Sequence, residues 1–259
     1  MDIHLEHINQ LLPLHQRVAG FNPALSRLYP IAIIEGEEFL IYDYVDSFVG
    51  YQFQKKAPLP MPVPEGVRAA FPLEAYGGRI ACVVTPEIFD TLKGYVTILH
   101  EFVHCYQFET CEQALKIKLD IARQAQEKGD FMWEIQHPFP YQAGNFTRVY
   151  QMFLIALNKG SMADVLAVRK ELRSYLGRHD FEYMLWQEWK EGFARWIENR
   201  VQELLGLDLN LRGLLPPFSR VTFYAGGAQL VNFLHVQDSS VVNNLEQLFH
   251  RMSMPMILN

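Results

Sequence analysis

Three residues of the segment His100-Glu101-Phe102-Val103-His104 have the types and the spacing needed for metal-assisted hydrolysis. In a helix, the two histidines lie on one face, one turn apart, so both imidazoles can bind one Zn²⁺ ion, which prefers nitrogen ligands in a tetrahedral arrangement. Glu101 follows the first histidine, where its carboxylate can take a proton from a water that attacks a carbonyl. The alternative is a chance match on an amphipathic helix with surface histidines.

The residues around this segment favour the metal site. Residues 79–84 alternate in the way that is typical of a short, largely buried strand. Thr85, Pro86 and Glu87 then predict a helix start, with a hydroxyl N-cap and a proline at the first helical position. Apolar residues recur every three or four positions up to about Phe108, which predicts one long helix with the histidines in its second half. A buried histidine pair without a metal would leave ring nitrogens in need of partners.

The pentapeptide has the H-E-x-x-H pattern of the zincin metallopeptidases, in which a strand also leads into the active-site helix. The resemblance implies a third protein ligand and one open coordination position. The metzincin continuation H-x-x-G-x-x-H is absent, because Gln107 and Thr110 occupy its glycine and histidine positions. The spacing of about twenty residues in thermolysin-like peptidases fails too, since Arg123 and Gln124 occupy it. Glu127 is near, but it lies in a polar run typical of a helix end.

The segment Glu191-Gly192-Phe193-Ala194 resembles the E-G-x-A signature of glutamate-liganded zincins, the gluzincins. This resemblance implies that Glu191 is the third zinc ligand, and that Gly192 and Ala194 let its helix pack closely on the histidine helix. The alternative is that Glu191 belongs to a solvated helix face. Glu188, one turn earlier, is the first substitute. Weaker candidates are the histidines in segments without a ligand-like pattern: His137, His179 and His235.

Two further features belong to the same resemblance. Gln107 extends the pentapeptide to H-E-x-x-H-x-x-Q, which is common in this broad group. The segment that starts at Tyr224 is similar to a Y-x-x-G helix of several gluzincin families, which implies that Tyr224, or else His235, donates a hydrogen bond to the oxyanion. The alternative for Tyr224 is an ordinary core aromatic at a helix start. The long separation between His104 and Glu191 departs from the best-known gluzincins, and the G-x-M-x-N motif of the large aminopeptidases is absent.

Composition excludes several classes of protein. A chain of 259 residues can bury a full core as one domain or two lobes. The net charge of −6 and the lack of a basic cluster argue against nucleic-acid binding. We expect no membrane span and no signal peptide, because neither a long apolar run nor a basic N-terminal region is present.

The low, odd number of cysteines (Cys82, Cys105 and Cys111) indicates a reducing compartment, so we expect a cytoplasmic protein in which Cys105 serves packing.

The order of elements predicts an α+β, zincin-like fold in one domain, residues 1–259. A small strand-rich lobe would extend to about Thr85, and a mainly helical catalytic part would follow and carry the histidine helix. Residues 31–53 are expected to form two strands, Ile31–Ile34 and a second that starts with Glu38–Tyr42 and continues through Tyr44 and Phe48, with Gly36 in the turn. The prolines between Lys55 and Pro72 predict an extended polyproline surface connection. Further helices are expected at 110–128, 145–158, 161–176, 180–206, 224–236 and 240–252.

These features predict a zinc-dependent hydrolase, most directly a peptidase acting on peptides or proteins. The zinc would be held by His100, His104 and Glu191, with Glu101 as the general base. The competing class is a non-catalytic, zincin-fold binding or regulatory protein with a retained zinc site. The presence of Glu101 favours the enzyme, because a structural site needs no base. The sequence makes no prediction about the oligomeric state.

Overall fold

The computed structural model of the protein describes residues 2–253, and its fold is α+β. A five-stranded mixed sheet lies in the N-terminal part and helices follow it, which confirms the predicted order of elements. The chain forms two compact units. The first contains the N-terminal part to Thr110 together with Arg200–Asp208, and the second contains Cys111–Asn199 and the residues from Leu209 onward. The first unit therefore includes the histidine helix, whereas the sequence suggested a boundary near Thr85.

The first unit begins with two short helices, α1 (Ile3–Asn9) and α2 (Leu11–Val18). The sheet that follows consists of β1 (Ile31–Glu35), β2 (Glu38–Val45), β3 (Gly50–Pro58), β4 (Arg68–Leu73) and β5 (Arg79–Val84). Its strand order is β3-β2-β1-β5-β4, in which β1 and β5 are parallel and the other pairs are antiparallel. Gly36 has φ +62° between β1 and β2, the left-handed conformation that a glycine adopts at little cost.

The segment 55–72 differs from the predicted polyproline connection. Its ends belong to β3 and β4, which are the two edge strands of the sheet. Prolines are tolerated there because an edge strand need not donate every backbone N–H. Leu59, Val63, Val67 and Phe71 pack on one face of the sheet, so the segment covers a core surface. That surface is formed by Ala32, Ile34, Phe39, Ile41, Ala57, Leu73, Ala81 and Val83.

The histidine helix, α3 (Leu92–Gln107), packs against β4 and β5. It begins later than predicted, because Pro86–Asp90 form a separate 3-10 turn. Thr91 is extended, with φ −140° and ψ 151°, and its hydroxyl accepts a hydrogen bond of 3.1 Å from the Gly94 N–H. A Cβ on Gly94 would overlap a carbonyl of the preceding turn, so glycine permits that turn to fold against the helix start. A π-helical turn, Phe108–Glu112, follows α3.

The second unit is helical. Its helices are α4 (Gln113–Lys116), α5 (Asp120–Glu127), α6 (Trp133–Gln136), α7 (Gly144–Lys159), α8 (Met162–Tyr175), α9 (Arg178–Leu204), α10 (Arg220–Gln237) and α11 (Leu245–Met252), and the last residues of α9 belong to the first unit. The predicted helices at 145–158, 161–176 and 180–206 are confirmed within a few residues. The expected helix at 110–128 is interrupted between α4 and α5, and α6 was not predicted.

Within residues 2–253, no helix has both the length and the apolarity to cross a membrane.

Candidate functional site

His100 and His104 lie on the same side of α3 and are both 7% exposed. Their Nε2 atoms are 3.1 Å apart, and the ring planes are nearly perpendicular, at 77°. The i, i+4 spacing on the helix produces this approach. Two buried imidazole nitrogens therefore face each other at a distance that suits two ligands of one small cation.

Gln107 orients the second histidine. Its side-chain Oε1 lies 2.8 Å from His104 Nδ1, and the residue is fully buried. Because an amide oxygen only accepts hydrogen bonds, Nδ1 of His104 carries the hydrogen and Nε2 keeps its lone pair. This is the arrangement in which an outer partner prepares an imidazole to bind a metal. In the sequence, Gln107 stands out only as part of the H-E-x-x-H-x-x-Q pattern, although its i+3 position after His104 already places both residues on one helix face.

Glu101 is buried, with 6% of its surface exposed. Burial raises the pKa of the Cys82 thiol well above its usual range, and the negative charge of Glu101 raises it further. The carboxylate of Glu101 is therefore close enough to Cys82 to affect its pKa, and Cys82 belongs to β5, against which α3 packs. Cys105 is also fully buried, as expected of a packing residue.

Glu191 lies on α9 in the second unit and is partly exposed. The residue after it, Gly192, is at a helix crossing: a Cβ there would lie 2.5 Å from the Cα of Gly227 on α10. A Cβ on Gly227 would in turn overlap the carbonyl oxygen of Glu188. The resemblance to E-G-x-A implied that Gly192 packs on the histidine helix, but its close contact is with α10. Glycine is needed here because two helix backbones touch.

The substitute ligand Glu188 is engaged elsewhere. It is fully buried, Arg169 Nη1 donates to its Oε2 at 2.6 Å, and the Tyr150 hydroxyl donates to its Oε1 at 2.9 Å. Burial raises the pKa of Glu188, while the adjacent Arg169 opposes the rise. Glu188 is therefore a member of a buried ion pair.

The other candidate ligands have different surroundings. His137 contacts Asp180, and His179 contacts Asp120. The His235 ring packs on Trp196, and Glu127 is exposed.

A charged network that the sequence did not reveal precedes Glu191 on α9. Lys190 Nζ donates to Glu112 at 2.8 Å and to Glu134 at 3.0 Å. Burial alone would raise the pKa of Glu134, but the charges of Lys190 and Lys116 outweigh it and lower that pKa to about 2. These ion pairs connect α9 with the residues before α4 and with α6.

Tyr224 lies in the first turns of α10, partly exposed, between two arginines. The Cζ atoms of Arg195 and Arg220 are 5.6 Å and 5.4 Å from its ring centroid. Arg195 also donates to Glu198 at 3.0 Å. Tyr224 is thus a member of a polar, partly accessible group, which differs from an ordinary core aromatic. Its predicted contact with an oxyanion stays a prediction.

Across residues 2–253, one group of three side chains has the composition and the spacing to hold a metal ion. His100, His104 and Glu191 each offer one ligand atom, and these atoms all lie within 4.8 Å of one another. The chain matches no protein family, no curated protein and no solved structure. The chemistry of the residues themselves therefore has to support any functional conclusion.

Proposed function

We propose that the protein is a zinc-dependent hydrolase that cleaves peptide bonds in peptide or protein substrates. One observation carries the proposal: His100, His104 and Glu191 present three ligand atoms within 4.8 Å of one another, in a chain where Glu101 follows the first histidine. We infer from this combination a gluzincin-like active site on a zincin-like fold.

The donor set fits zinc. Two imidazole nitrogens and one carboxylate oxygen make a common ligand set of catalytic zinc enzymes, and a set of three leaves one coordination position for water or substrate. Two ligands of a tetrahedral zinc with bonds of about 2.0–2.1 Å lie about 3.3 Å apart, close to the 3.1 Å between the two histidine Nε2 atoms. When bound, zinc supplies a Lewis acid and lowers the pKa of a coordinated water to about 7.

The protein residues have separate roles in the proposed reaction. Gln107 holds His104 in the tautomer that leaves Nε2 available. Glu101 accepts a proton from the attacking water and passes it to the leaving amine. Tyr224, with His235 as the second candidate, donates a hydrogen bond to the carbonyl oxygen as negative charge develops on it.

The variant Glu101→Gln tests the proposal, because it keeps the side-chain shape and removes the base. Zinc content should be unchanged, while hydrolysis of a peptide library falls by a factor of about 10² to 10⁴. Glu127→Gln, at an exposed position of α5, is the matched control and should retain full activity. Unchanged turnover in Glu101→Gln would contradict the assignment of the base. A wild-type protein that binds zinc but hydrolyses no peptide would instead support the non-catalytic alternative.

We propose a reducing, cytoplasmic setting for this chemistry. Cys82, Cys105 and Cys111 are all free thiols and all buried. Proteins of oxidising compartments commonly pair their cysteines in disulfides. Measuring the thiol content of the protein purified without reductant tests this point.

A further inference from the structure

Arg220 is a partly buried arginine without an ion-pair partner. Among residues 2–253, no carboxylate lies within ion-pair distance of its guanidinium, and its Cζ lies 5.4 Å from the ring centroid of Tyr224. Arg195, on the other side of the same ring, differs: it donates to the carboxylate of Glu198 at 3.0 Å and to the carbonyl of Asn210 at 3.3 Å. Arg195 is thus neutralised within the protein, whereas Arg220 is not.

Arg220 does not stabilise the helix on which it lies. It is the first residue of α10, a helix of 18 residues, where a positive charge opposes the helix dipole. The helix start is already capped by Ser219 and Thr222, whose side chains and backbone N–H groups bond reciprocally. An unpaired cation that costs helix stability suggests a role outside the helix.

The positive charge of Arg220 lowers the pKa of two tyrosines, Tyr141 and Tyr183, against the effect of burial. The Tyr141 hydroxyl donates to that of Tyr183 at 3.3 Å, and Tyr183 donates to the carbonyl of Glu134 at 3.3 Å. Burial raises the pKa of Tyr183, the positive charge of Arg220 lowers it, and the negative charge of Glu191 raises it. Arg220 and Glu191 therefore both act on the same tyrosine within the second unit.

The crossing of α9 and α10 explains why Glu191 is a neighbour of Tyr224 and Arg220. The two backbones touch at Gly192 and Gly227. Glu191 directly precedes the contact on α9, and Tyr224 lies one turn before it on α10. Arg195, one turn after Glu191, reaches the Tyr224 ring. The partly exposed side chains of Glu191, Tyr224 and Arg220 thus belong to one crossing.

We propose that Arg220 binds a carboxylate of the substrate close to the scissile bond, which makes peptides with a free C-terminal carboxylate, or with an acidic side chain at that position, the substrate class. This inference rests on the proposed peptidase function. A guanidinium offers two parallel N–H donors to a carboxylate, and the pair is strong where water is partly excluded. A cation–π interaction with the face of the Tyr224 ring fixes the position of the guanidinium.

Three N-terminally blocked peptides that differ only in the C-terminal residue or its amidation separate the two sources of the carboxylate: a free acid with a neutral last residue, its C-terminal amide, and an amide that ends in glutamate. We expect wild-type kcat/KM to be about 10- to 100-fold higher for one of the two carboxylate peptides than for the neutral amide, as for a charge-assisted hydrogen bond. Arg220→Gln should reduce this preference to near one while zinc content stays unchanged. Arg17→Gln, at an exposed position of α2, should leave the preference intact.

Binding of the same peptides to zinc-loaded Glu101→Gln, measured by calorimetry, gives a second readout without turnover. The same preference should appear in Kd and disappear in the double variant with Arg220→Gln. If Arg220→Gln does not fold, Arg220→Lys replaces it and should reduce the preference in part. Equal turnover of the three peptides, or a preference that survives these substitutions, would overturn the inference alone. A zinc-loaded wild type that neither binds nor cleaves any peptide would overturn the proposed function, and the inference with it.

Discussion

A Cβ on Gly192 would lie 2.5 Å from the Cα of Gly227, so α9 and α10 cross with their backbones in contact. This contact brings the start of α10, with Tyr224, beside the part of α9 that carries Glu191. Any side chain at either glycine would push the helices apart. The glycine of the E-G-x-A segment thus positions two helices of the second unit, and it affects the proposed site only through them.

Gly192→Ala should destabilise the protein by about 1–3 kcal/mol, because the added methyl group meets the backbone of α10 rather than a flexible side chain. Chemical denaturation followed by circular dichroism measures the change. Gly144→Ala, at the first residue of α7 with open space around its Cβ, is the control and should be neutral or slightly stabilising. Equal midpoints for the two variants would show that the crossing tolerates a side chain.

Gln107→Ala should weaken zinc binding by about 10- to 100-fold without abolishing it, because the His104 ring loses the acceptor that fixes its tautomer. His104→Ala should remove stoichiometric zinc altogether. Competition with a chromophoric chelator measures both affinities. Gln126→Ala, at an exposed position of α5, is the control. A Gln107→Ala protein with wild-type zinc affinity would argue against any role of Gln107 at the metal.

Glu191 and Glu188 should respond in opposite ways to conversion to glutamine. Glu191→Gln should lower zinc content and leave the stability of the zinc-free protein nearly unchanged, since the residue is partly exposed. Glu188→Gln should keep the zinc and lose about 3–5 kcal/mol, because Arg169 would remain buried without its counter-charge. Metal analysis and thermal denaturation of the chelator-treated proteins distinguish the two. The reverse pattern would make Glu188 the ligand and would contradict the resemblance to E-G-x-A.

Glu134 should contribute to stability in a pH-dependent way. Its pKa is lowered to about 2 in the folded protein from a usual value of 4.5, because Lys190 and Lys116 outweigh the effect of burial. A lowered pKa stabilises the folded state above pH 4.5, and this contribution is lost as the pH falls towards 2. At neutral pH, Glu134→Gln should therefore be less stable than wild type by up to about 3 kcal/mol. The difference should shrink between pH 4.5 and pH 2; a constant difference would contradict the ion-pair explanation.

Much of the local structure follows from the sequence alone. Apolar residues at three- and four-residue spacing predict α3, α7, α8 and α9, and the short apolar runs around Gly36 predict β1 and β2. The same periodicity places His100 and His104 on one face of α3. These predictions succeed because each depends on residues within one or two turns of each other, whose backbone geometry is regular.

Other features depend on segments that are distant in the chain. The prolines of 55–72 predict an extended connection, but pairing with β2 and β5 makes both of its ends edge strands. Glu188 and Glu191 are one turn apart and of the same type, and the sequence could only rank them. Arg169 and Tyr150 engage Glu188 in the folded chain, while the ligand atom of Glu191 lies within 4.8 Å of those of the two histidines. Spacing determines which side chains share a helix face, whereas the partner of each charge is decided by helix packing, because burial makes an unpaired charge costly.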